Sequence, residues 1–434
     1  MSQARYGGTG DDTLIELAYL SNGSLALAGH YETSIDFGGG ALPSAGGNDV
    51  FVAELDAFGN ETRASRFGTS DEETLCGMAV DEADGVYLYG AYDATIDIGL
   101  GPLPTSSRGQ FLSRFVNGAP VWNLALESIA THRPNCRAAS SQANSVFIAN
   151  LYETQFSIGS STIAGNGQQV RPAGLARITG GNPAGPSWLR KVTGLGGAWS
   201  IEPVALSADP AGNVALLVEG ATQYFPQQQV KPLDVSYDGT TISGTSGLNA
   251  LFRIANDGSL TWHVDFANND AKSVSTYPNG DILVCGVYSG SGGFAPGFSL
   301  PPAEARDVWA ARYTAIGTLQ WARRLGGSGI DGDDVKCEPS PSGSVIVAFT
   351  SDGPVDVGGL SDGGMSSSVV VAELDDSGIG QWLRRTVGAA TLRTLAATGD
   401  EVAIGMTFSG ELGFVALDTA TTPGADILVA RIAR

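Results

Sequence analysis

An apolar, strand-like segment recurs along the whole chain. Its first copy, Ser24–Tyr31, reads Ser-Leu-Ala-Leu-Ala-Gly-His-Tyr. Later copies begin roughly every 57 to 68 residues, a period that is typical of a β-propeller when it is built from short strands and turns. These copies are Gly85–Tyr92, Ser145–Tyr152, Asn213–Gly220, Asp281–Tyr288, Ser344–Ser351 and Glu401–Phe408. The pattern therefore predicts seven blades, with this segment as the second strand of each.

A third strand recurs in step with the second. It alternates apolar with polar or charged residues, whereas the second strand is almost wholly apolar. Its copies are Phe51–Asp56, Phe111–Val116, Gly174–Thr179, Ala250–Ala255, Trp309–Thr314, Val370–Asp375 and Leu428–Ala433. The two patterns predict a half-exposed third strand and a second strand that is buried on both faces.

The two ends of the chain complete one repeat between them. The last third strand has no fourth strand after it, but Gln3–Gly7 matches the fourth strand Ala64–Gly68. We therefore predict that residues 3–7 pair with the C-terminal strand 427–433, because this pairing removes an open join between the first and last blades. The predicted fold is all-β: one domain, residues 1–434, forming a seven-bladed β-propeller of four-stranded blades.

Composition narrows the classes of partner. The formal net charge of −21 repels phosphate backbones and anionic lipid, so we expect neither nucleic acid nor a membrane as a partner. The apolar runs are about one strand long, well short of the roughly 20 residues that span a bilayer. An acidic surface instead favours cations or basic partners.

Aromatic residues occupy fixed places in the repeat. Tryptophans stand in the predicted fourth strand and tyrosines or phenylalanine at the end of the second. They are Trp122, Trp188, Trp262, Trp321 and Trp382, and Tyr31, Tyr92, Tyr152, Tyr288 and Phe408. One aromatic per blade at one position favours packing between blades over ligand stacking.

The repeat units also carry a family resemblance. Asp49–Asn60 with Arg66–Asp71, and again Asp307–Asp334, resemble the SBBP-type β-propeller repeats of bacterial secreted and surface proteins. The resemblance implies a propeller in an extracellular or cell-envelope setting, and no particular activity. The sequence opens directly on a repeat element, so either the protein is cytoplasmic or a secretion signal lies outside this sequence; we expect the second, with any tether or further domain also outside it.

Acidic loops supply a candidate metal site. The loops between strands two and three and between strands four and one emerge on the same face of a propeller, and several carry aspartates beside glycines. Asp331, Asp333 and Asp334 form the best trio for calcium, which takes six to eight oxygen ligands. The alternative is that such aspartates brace their own turns by accepting bonds from backbone amides. No cofactor is otherwise required.

A long loop on the same face supplies a candidate ligand site. The segment between 222 and 249 combines aromatic rings with amides, which can stack on sugar faces and hydrogen-bond hydroxyl groups. The candidate ligand-binding residues are Tyr224, Phe225, Gln227, Gln228, Tyr237 and Asp238. The alternative is a loop that folds back over the blade edge and buries its aromatic residues.

Four cysteines allow two disulfides. Cys76 and Cys136 stand at equivalent places in adjacent repeats, and Cys337 lies at a similar level next to the blade of Cys285. An even number of cysteines in a protein expected to be secreted predicts the pairs Cys76–Cys136 and Cys285–Cys337. Four buried free thiols are the alternative.

No catalytic motif emerges from the sequence. The three histidines, His30, His132 and His263, stand in unrelated places without a nucleophile motif beside them. We therefore expect a non-enzymatic recognition or adhesion module that binds a glycan or protein on the face of the acidic loops. The alternatives are a polysaccharide hydrolase or lyase that uses carboxylates in a central funnel, and a purely structural surface or filament subunit.

Overall fold

A computed structural model describes residues 2–128, 136–165, 171–180, 185–195, 199–222, 234–242, 249–266, 269–290, 293–295, 298–364, 366–409, 412, 414 and 424–434. The regular structure in these ranges is β-strand, and they contain no helix that is long and apolar enough to cross a bilayer. The strands are β1 (Ser2–Tyr6), β2 (Asp12–Tyr19), β3 (Leu25–Tyr31), β4 (Ser34–Ile35), β5 (Leu42–Pro43), β6 (Asp49–Leu55), β7 (Glu61–Phe67), β8 (Glu73–Val80), β9 (Val86–Ala94), β10 (Ser106–Val116), β11 (Ala119–Ser128), β12 (Cys136–Ala139), β13 (Ser145–Leu151), β14 (Gln155–Ile158), β15 (Ser161–Ala164), β16 (Ala173–Thr179), β17 (Gly185–Leu195), β18 (Trp199–Ala208), β19 (Val214–Thr222), β20 (Asp234–Tyr237), β21 (Thr240–Ile242), β22 (Asn249–Ile254), β23 (Leu260–Asp265), β24 (Asn269–Thr276), β25 (Ile282–Tyr288), β26 (Gly293–Ala295), β27 (Phe298–Ser299), β28 (Asp307–Tyr313), β29 (Leu319–Gly326), β30 (Asp331–Pro339), β31 (Val345–Ser351), β32 (Val355–Val357), β33 (Leu360–Asp362), β34 (Ser368–Leu374), β35 (Gly380–Arg385), β36 (Thr391–Ala397), β37 (Glu401–Phe408) and β38 (Asp426–Ala433).

These strands form seven four-stranded antiparallel blades with one repeated order. Blade I is β2-β3-β6-β7, blade II is β8-β9-β10-β11, blade III is β12-β13-β16-β17, and blade IV is β18-β19-β22-β23. Blade V is β24-β25-β28-β29, blade VI is β30-β31-β34-β35, and blade VII is β36-β37-β38-β1. The predicted all-β, seven-bladed propeller is confirmed.

Blade VII takes its fourth strand from the start of the chain. β1 runs antiparallel to β38, from Ser2 opposite Arg431 to Tyr6 opposite Ile427. The Arg5 Nε donates to the Asp426 Oδ2 at 2.8 Å, and the Tyr6 hydroxyl donates to the Gly59 carbonyl oxygen at 2.8 Å. The predicted closure is confirmed, with β1 starting one residue earlier than expected.

Contacts divide the chain into two compact units. The first comprises residues 1–44, 51–66 and 268–434, and the second comprises residues 45–50 and 67–267. Within the first unit, β24, β30, β36 and β2 pack side by side in that order. Within the second, β8, β12 and β18 do the same.

The second strands are buried as predicted, but the third strands are not half-exposed. In blade VI, Val345–Phe349 of β31 are fully buried, and all seven residues of β34 are buried as well. The alternating charged residues of the third strand are buried by pairing. The Arg253 and Asp209 side chains, for example, form an ion pair in which both are almost inaccessible to solvent.

In blades III, IV and VI the connection between strands two and three forms a short hairpin that extends the preceding blade. β14 pairs with β11, β20 with β17, and β32 with β29. Their apolar residues, such as Phe156 and Val357, are buried, while the turns stay exposed. These hairpins cover the outer edges of blades II, III and V, where unpaired strands would invite aggregation.

The repeated aromatic residues join blades or fix loops. The Trp188 Nε1 donates to the Asn256 carbonyl oxygen and the Trp321 Nε1 to that of Asp376, each at 2.8 Å and each on the next blade. The Tyr92 and Tyr288 hydroxyls donate to proline carbonyl oxygens at the end of their own loops. For these two tryptophans the interpretation as packing between blades is confirmed.

Candidate functional site

Two of the three residues of the predicted calcium trio have side chains within the described part of the structure. Asp331 begins β30 and is buried, and its Oδ2 accepts a hydrogen bond from the Gly327 backbone N–H at 2.8 Å. Asp334 is half-buried, and the Asp333 side chain lies outside the described part of the structure. Among the described residues, no three histidine, cysteine, aspartate or glutamate side chains form a group suited to a metal ion. Calcium at this trio stays a prediction.

Other acids on the same loops brace their own turns. The Asp36 Oδ1 accepts backbone N–H groups from Gly38 and Gly40, at 2.7 and 3.2 Å. Asp97 repeats this pattern with Gly99 and Gly101, two and four residues ahead, at 2.8 and 3.0 Å. For these aspartates the geometry matches the turn-bracing alternative.

The predicted ligand loop is only partly described. Tyr224, Phe225, Gln227 and Gln228 lie outside the described residues.

Tyr237 and Asp238 stand at the end of β20, in the hairpin that extends blade III. Tyr237 is 3% exposed, and its hydroxyl donates to the Gly258 carbonyl oxygen at 2.9 Å. Burial also raises the pKa of this phenol. Asp238 is exposed and pairs with Arg190 at 3.5 Å. Tyr237 therefore packs like the buried residues of the other hairpins instead of facing a ligand, which leaves Asp238 at the surface.

The cysteines lie in the two predicted pairs. The structure joins Cys76 to Cys136, with Cα atoms 5.6 Å apart, and Cys285 to Cys337, with Cα atoms 6.2 Å apart. Both Cα separations fall within the range of protein disulfides. Each bond links neighbouring blades within one compact unit.

We predict two intramolecular disulfides in the purified protein. Non-reducing peptide mapping by mass spectrometry should show the Cys76–Cys136 and Cys285–Cys337 cross-links. Reduction should lower the free energy of unfolding by about 2–4 kcal/mol for each bond, because each bond closes a long loop in the unfolded chain. Four thiols that alkylate in protein purified under oxidising conditions would contradict this prediction.

A polar surface that the sequence analysis did not single out lies on the first strands of blades V, VI, VII and I. These strands are neighbours within the first compact unit. We call this surface the inner-strand cluster. It consists of Glu16, Ser275, Asp334, Lys336, Glu338, Arg393 and Thr394. Its five charged side chains are half-buried, whereas both hydroxyl residues are buried.

Hydrogen bonds across blades fix the carboxylates of this cluster. The Thr394 hydroxyl on β36 donates to the Glu16 Oε1 on β2 and accepts from the Leu17 backbone N–H at 3.2 Å. The Ser275 hydroxyl on β24 lies 2.7 Å from the Glu338 Oε2 on β30, to which it donates. Each carboxylate is therefore held on a rigid strand by a hydroxyl of the adjacent blade.

The environment of Glu338 changes its acidity. Burial raises its pKa to about 7, and the negative charge of Glu16 adds to the increase. The hydrogen bond from Ser275 opposes the shift. A carboxyl group near pH 7 beside a second carboxylate can hold or release a proton under ordinary conditions.

Opposite charges accompany these acids. Burial lowers the pKa of Arg393, and the charge of Asp334 opposes that shift. The Arg393 Nε donates to the Thr407 hydroxyl at 3.2 Å. The cluster thus combines anions, cations and hydroxyls within one set of adjacent strands, which suits a ligand with many hydroxyl groups.

The sequence signal for this cluster is weak. The first strand has no clean alternation, because a β-bulge shifts its register in β2, β24 and β36. The polar residues therefore follow neither a period of two nor an obvious motif. Aligning first strands by their bulges would have found them.

No protein-family model and no curated protein matches the chain. Among solved structures it is similar to the Dos1 propeller, with 9% identity and a TM-score of 0.46 over 99% of this chain and 94% of that one. It is also similar to the polysaccharide lyase Uly1, with 10% identity and a TM-score of 0.47 over 96% and 89% of the two chains. A leech intramolecular trans-sialidase gives 11% identity and a TM-score of 0.35 over 91% and 64%. At these values the likenesses carry no argument about function, and the resemblance to SBBP-type repeats stays a prediction.

Proposed function

We propose that this chain is a non-enzymatic recognition module that binds a hydroxyl-rich ligand, of which a glycan is the best example, at the inner-strand cluster. One observation carries the proposal. Five charged side chains on neighbouring strands are partly exposed, so a ligand can reach them, and the strands already orient them. The loop acids, by contrast, are engaged with their own turns.

An extracellular or cell-envelope setting belongs to the same proposal. Two cysteine pairs at disulfide distance fit an oxidising compartment, where such bonds persist. The net charge of −21 fits a soluble binder of neutral or basic ligands better than a binder of anionic polymers.

A second candidate function is favoured by Glu338 alone. A carboxyl group with a pKa of about 7 near Glu16 is the pattern of a general acid beside an ionised carboxylate. This arrangement would suit a glycan-cleaving enzyme. The two candidates differ in whether a bound ligand is released unchanged.

A glycan-array screen tests the proposal, run once with calcium and once with EDTA, and followed by product analysis of every ligand that binds. We expect binding that survives EDTA, with the ligand recovered intact. The Glu338→Gln variant should lower the affinity by about tenfold, the usual effect of weakening one hydrogen bond to a charged group. The matched control Glu82→Gln, on an exposed turn of blade II, should bind like the unsubstituted protein.

Three other outcomes would favour a different function or binding site. Ligand cleaved by the unsubstituted protein but bound intact by Glu338→Gln would establish the enzyme instead. Binding that EDTA abolishes would favour the predicted calcium trio. A blank array in both buffers would contradict glycan recognition and leave a protein ligand or a structural role.

A further inference from the structure

Two acidic residues meet inside the core at the junction of blades VII and I. Asp12 begins β2 and Asp426 begins β38, and both side chains are almost completely buried. A backbone hydrogen bond joins the starts of the two strands at the same place: the Asp12 N–H donates to the Ala425 carbonyl oxygen at 2.7 Å. The two carboxyl groups are therefore fixed beside each other without access to water.

Within the described part of the chain, only one of these carboxylates forms an ion pair. The Asp426 Oδ2 accepts a hydrogen bond from the Arg5 Nε at 2.8 Å and lies 2.6 Å from the Arg5 Nη2. The Asp12 Oδ2 accepts a hydrogen bond from the Gly8 backbone N–H at 2.9 Å, while the Asp12 Oδ1 is buried and has no hydrogen-bond partner among the residues that the structure describes. An unpaired buried carboxylate oxygen is costly unless it carries or receives a proton.

Gly7 shows how closely the two groups approach. A Cβ added to this glycine would lie 2.8 Å from the Asp12 Oδ2 and would collide with the Asp426 Oδ1. The Asp12 Oδ2 and the Asp426 Oδ1 therefore lie next to the same position beside the Gly7 backbone.

The second compact unit contains the same arrangement. Glu73 begins β8 and Asp49 begins β6, both are buried, and the Glu73 N–H donates to the Asn48 carbonyl oxygen at 2.9 Å. Here Gly68 occupies the place of Gly7, and its Cβ would collide with the Asp49 carboxylate. The first residues of β22 and β24, which stand at corresponding places in their own blades, are the neutral amides Asn249 and Asn269.

We propose that each of these junctions, Asp12 with Asp426 and Glu73 with Asp49, holds one proton between its two carboxyl groups and loosens when that proton is removed at alkaline pH. Burial raises the pKa of Asp12 and of Glu73 to about 7 each, and the neighbouring aspartate adds to both shifts. The other charges that act on these groups are Asp11 and Arg5 at the first junction and Asp71 at the second.

The sign of the pH effect follows from these shifts. The native state binds the proton more tightly than the unfolded chain, whose carboxyl groups titrate near pH 4. The stability that the pairs contribute is complete below that value. It is lost as the pH rises through about 7.

Thermal unfolding from about pH 5 to about pH 8 tests the proposal, with Asp12→Asn as the main variant and Asp11→Asn as its control. Asp11 is the exposed neighbour, so its variant makes the same change of charge outside the core. We expect the melting temperature of the unsubstituted protein to fall towards alkaline pH. Asp12→Asn should melt about 3 °C higher than the unsubstituted protein near pH 8 and no higher near pH 5, because the amide mimics the protonated acid. Asp11→Asn removes only a lesser contribution to the raised pKa of Asp12, so its curve should lie much closer to that of the unsubstituted protein than the Asp12→Asn curve does.

Infrared spectroscopy supplies a readout that does not depend on the fold tolerating a substitution. The unsubstituted protein at neutral pH should show the C=O band of a protonated carboxyl group, and Glu73→Gln should weaken it. Absence of that band at neutral pH would overturn the proposal. So would an Asp12→Asn variant that is destabilised equally at every pH, or a melting temperature that calcium raises and EDTA lowers only while Asp12 is present, which would reveal a cation instead.

Discussion

Deleting residues 2–7 should leave the protein largely unfolded or aggregated at room temperature. The deletion removes β1, the fourth strand of blade VII, with its pairing along β38. It also removes the buried Tyr6 ring, worth about 1.5–3 kcal/mol, and leaves Asp426 buried without Arg5, which costs about 3–5 kcal/mol. The combined loss is comparable with the whole stability of a typical domain, about 5–15 kcal/mol.

Circular dichroism and urea denaturation measure this effect. A synthetic peptide of residues 2–8 added in trans should restore part of the native signal, because it can occupy the vacated edge of β38. The control Tyr6→Phe keeps the strand and loses only the hydroxyl bond to Gly59, so it should cost about 1 kcal/mol. A deletion variant that melts at the unsubstituted temperature would contradict the closure.

Replacing Asp81 with alanine should lower the free energy of unfolding by about 3–5 kcal/mol, because it leaves the largely buried charge of Arg114 without its partner. Asp81 lies in the turn before β9. Its carboxylate accepts hydrogen bonds from the backbone N–H groups of Ala83, Gly85 and Asn144 and from the Tyr87 hydroxyl, and it pairs with Arg114 at 2.9 Å. The Asn144 bond reaches blade III, so the loss affects two blades.

The effect of Asp81 should depend on pH in the opposite sense to the buried carboxyl pairs. Burial acts to raise the pKa of Asp81, but the hydrogen bonds from Asn144 and Gly85 and the ion pair with Arg114 outweigh it and hold the pKa below the usual value. The contribution of Asp81 to folding stability is therefore present above about pH 4 and is lost as the pH falls through the lowered pKa of its carboxyl group.

Urea denaturation at neutral and at acidic pH measures both effects. The control is Asp56→Ala, which removes an aspartate that braces an exposed hairpin turn in the same way, through Phe58 and Asn60. It should cost about 1 kcal/mol or less, because its amides remain hydrated. Equal losses for the two variants would contradict the role assigned to burial at Asp81.

The sequence was most informative where residues repeat in one local pattern. The predicted second strand Ser24–Tyr31 matches β3, Leu25–Tyr31, to within one residue, because seven apolar copies define the same element. The closure was predictable because Arg5, Tyr6 and Gly7 repeat the ending of other fourth strands. Such signals depend only on neighbouring residues.

Features that depend on distant residues were not predictable in this way. The connection between strands two and three of blade VI was expected to be a loop, yet it contains the three-residue strand Val355–Val357, which pairs with β29 of the preceding blade. The third strands were expected to be half-exposed, because nothing local shows that Arg253 would meet Asp209 inside the core. The pairing of Asp12 with Asp426 likewise joins opposite ends of the chain.

Carboxyl footprinting of the protein with and without a ligand from the array tests the proposed recognition surface most directly. Carbodiimide-coupled labelling, read by mass spectrometry, reports the access of solvent to each acidic side chain. We predict that bound ligand lowers the labelling of Glu16, Asp334 and Glu338 and leaves that of Glu82 and Asp238 unchanged. Protection confined to Asp238 and the surrounding loop, with Glu16 and Glu338 labelled as before, would contradict binding at the inner-strand cluster.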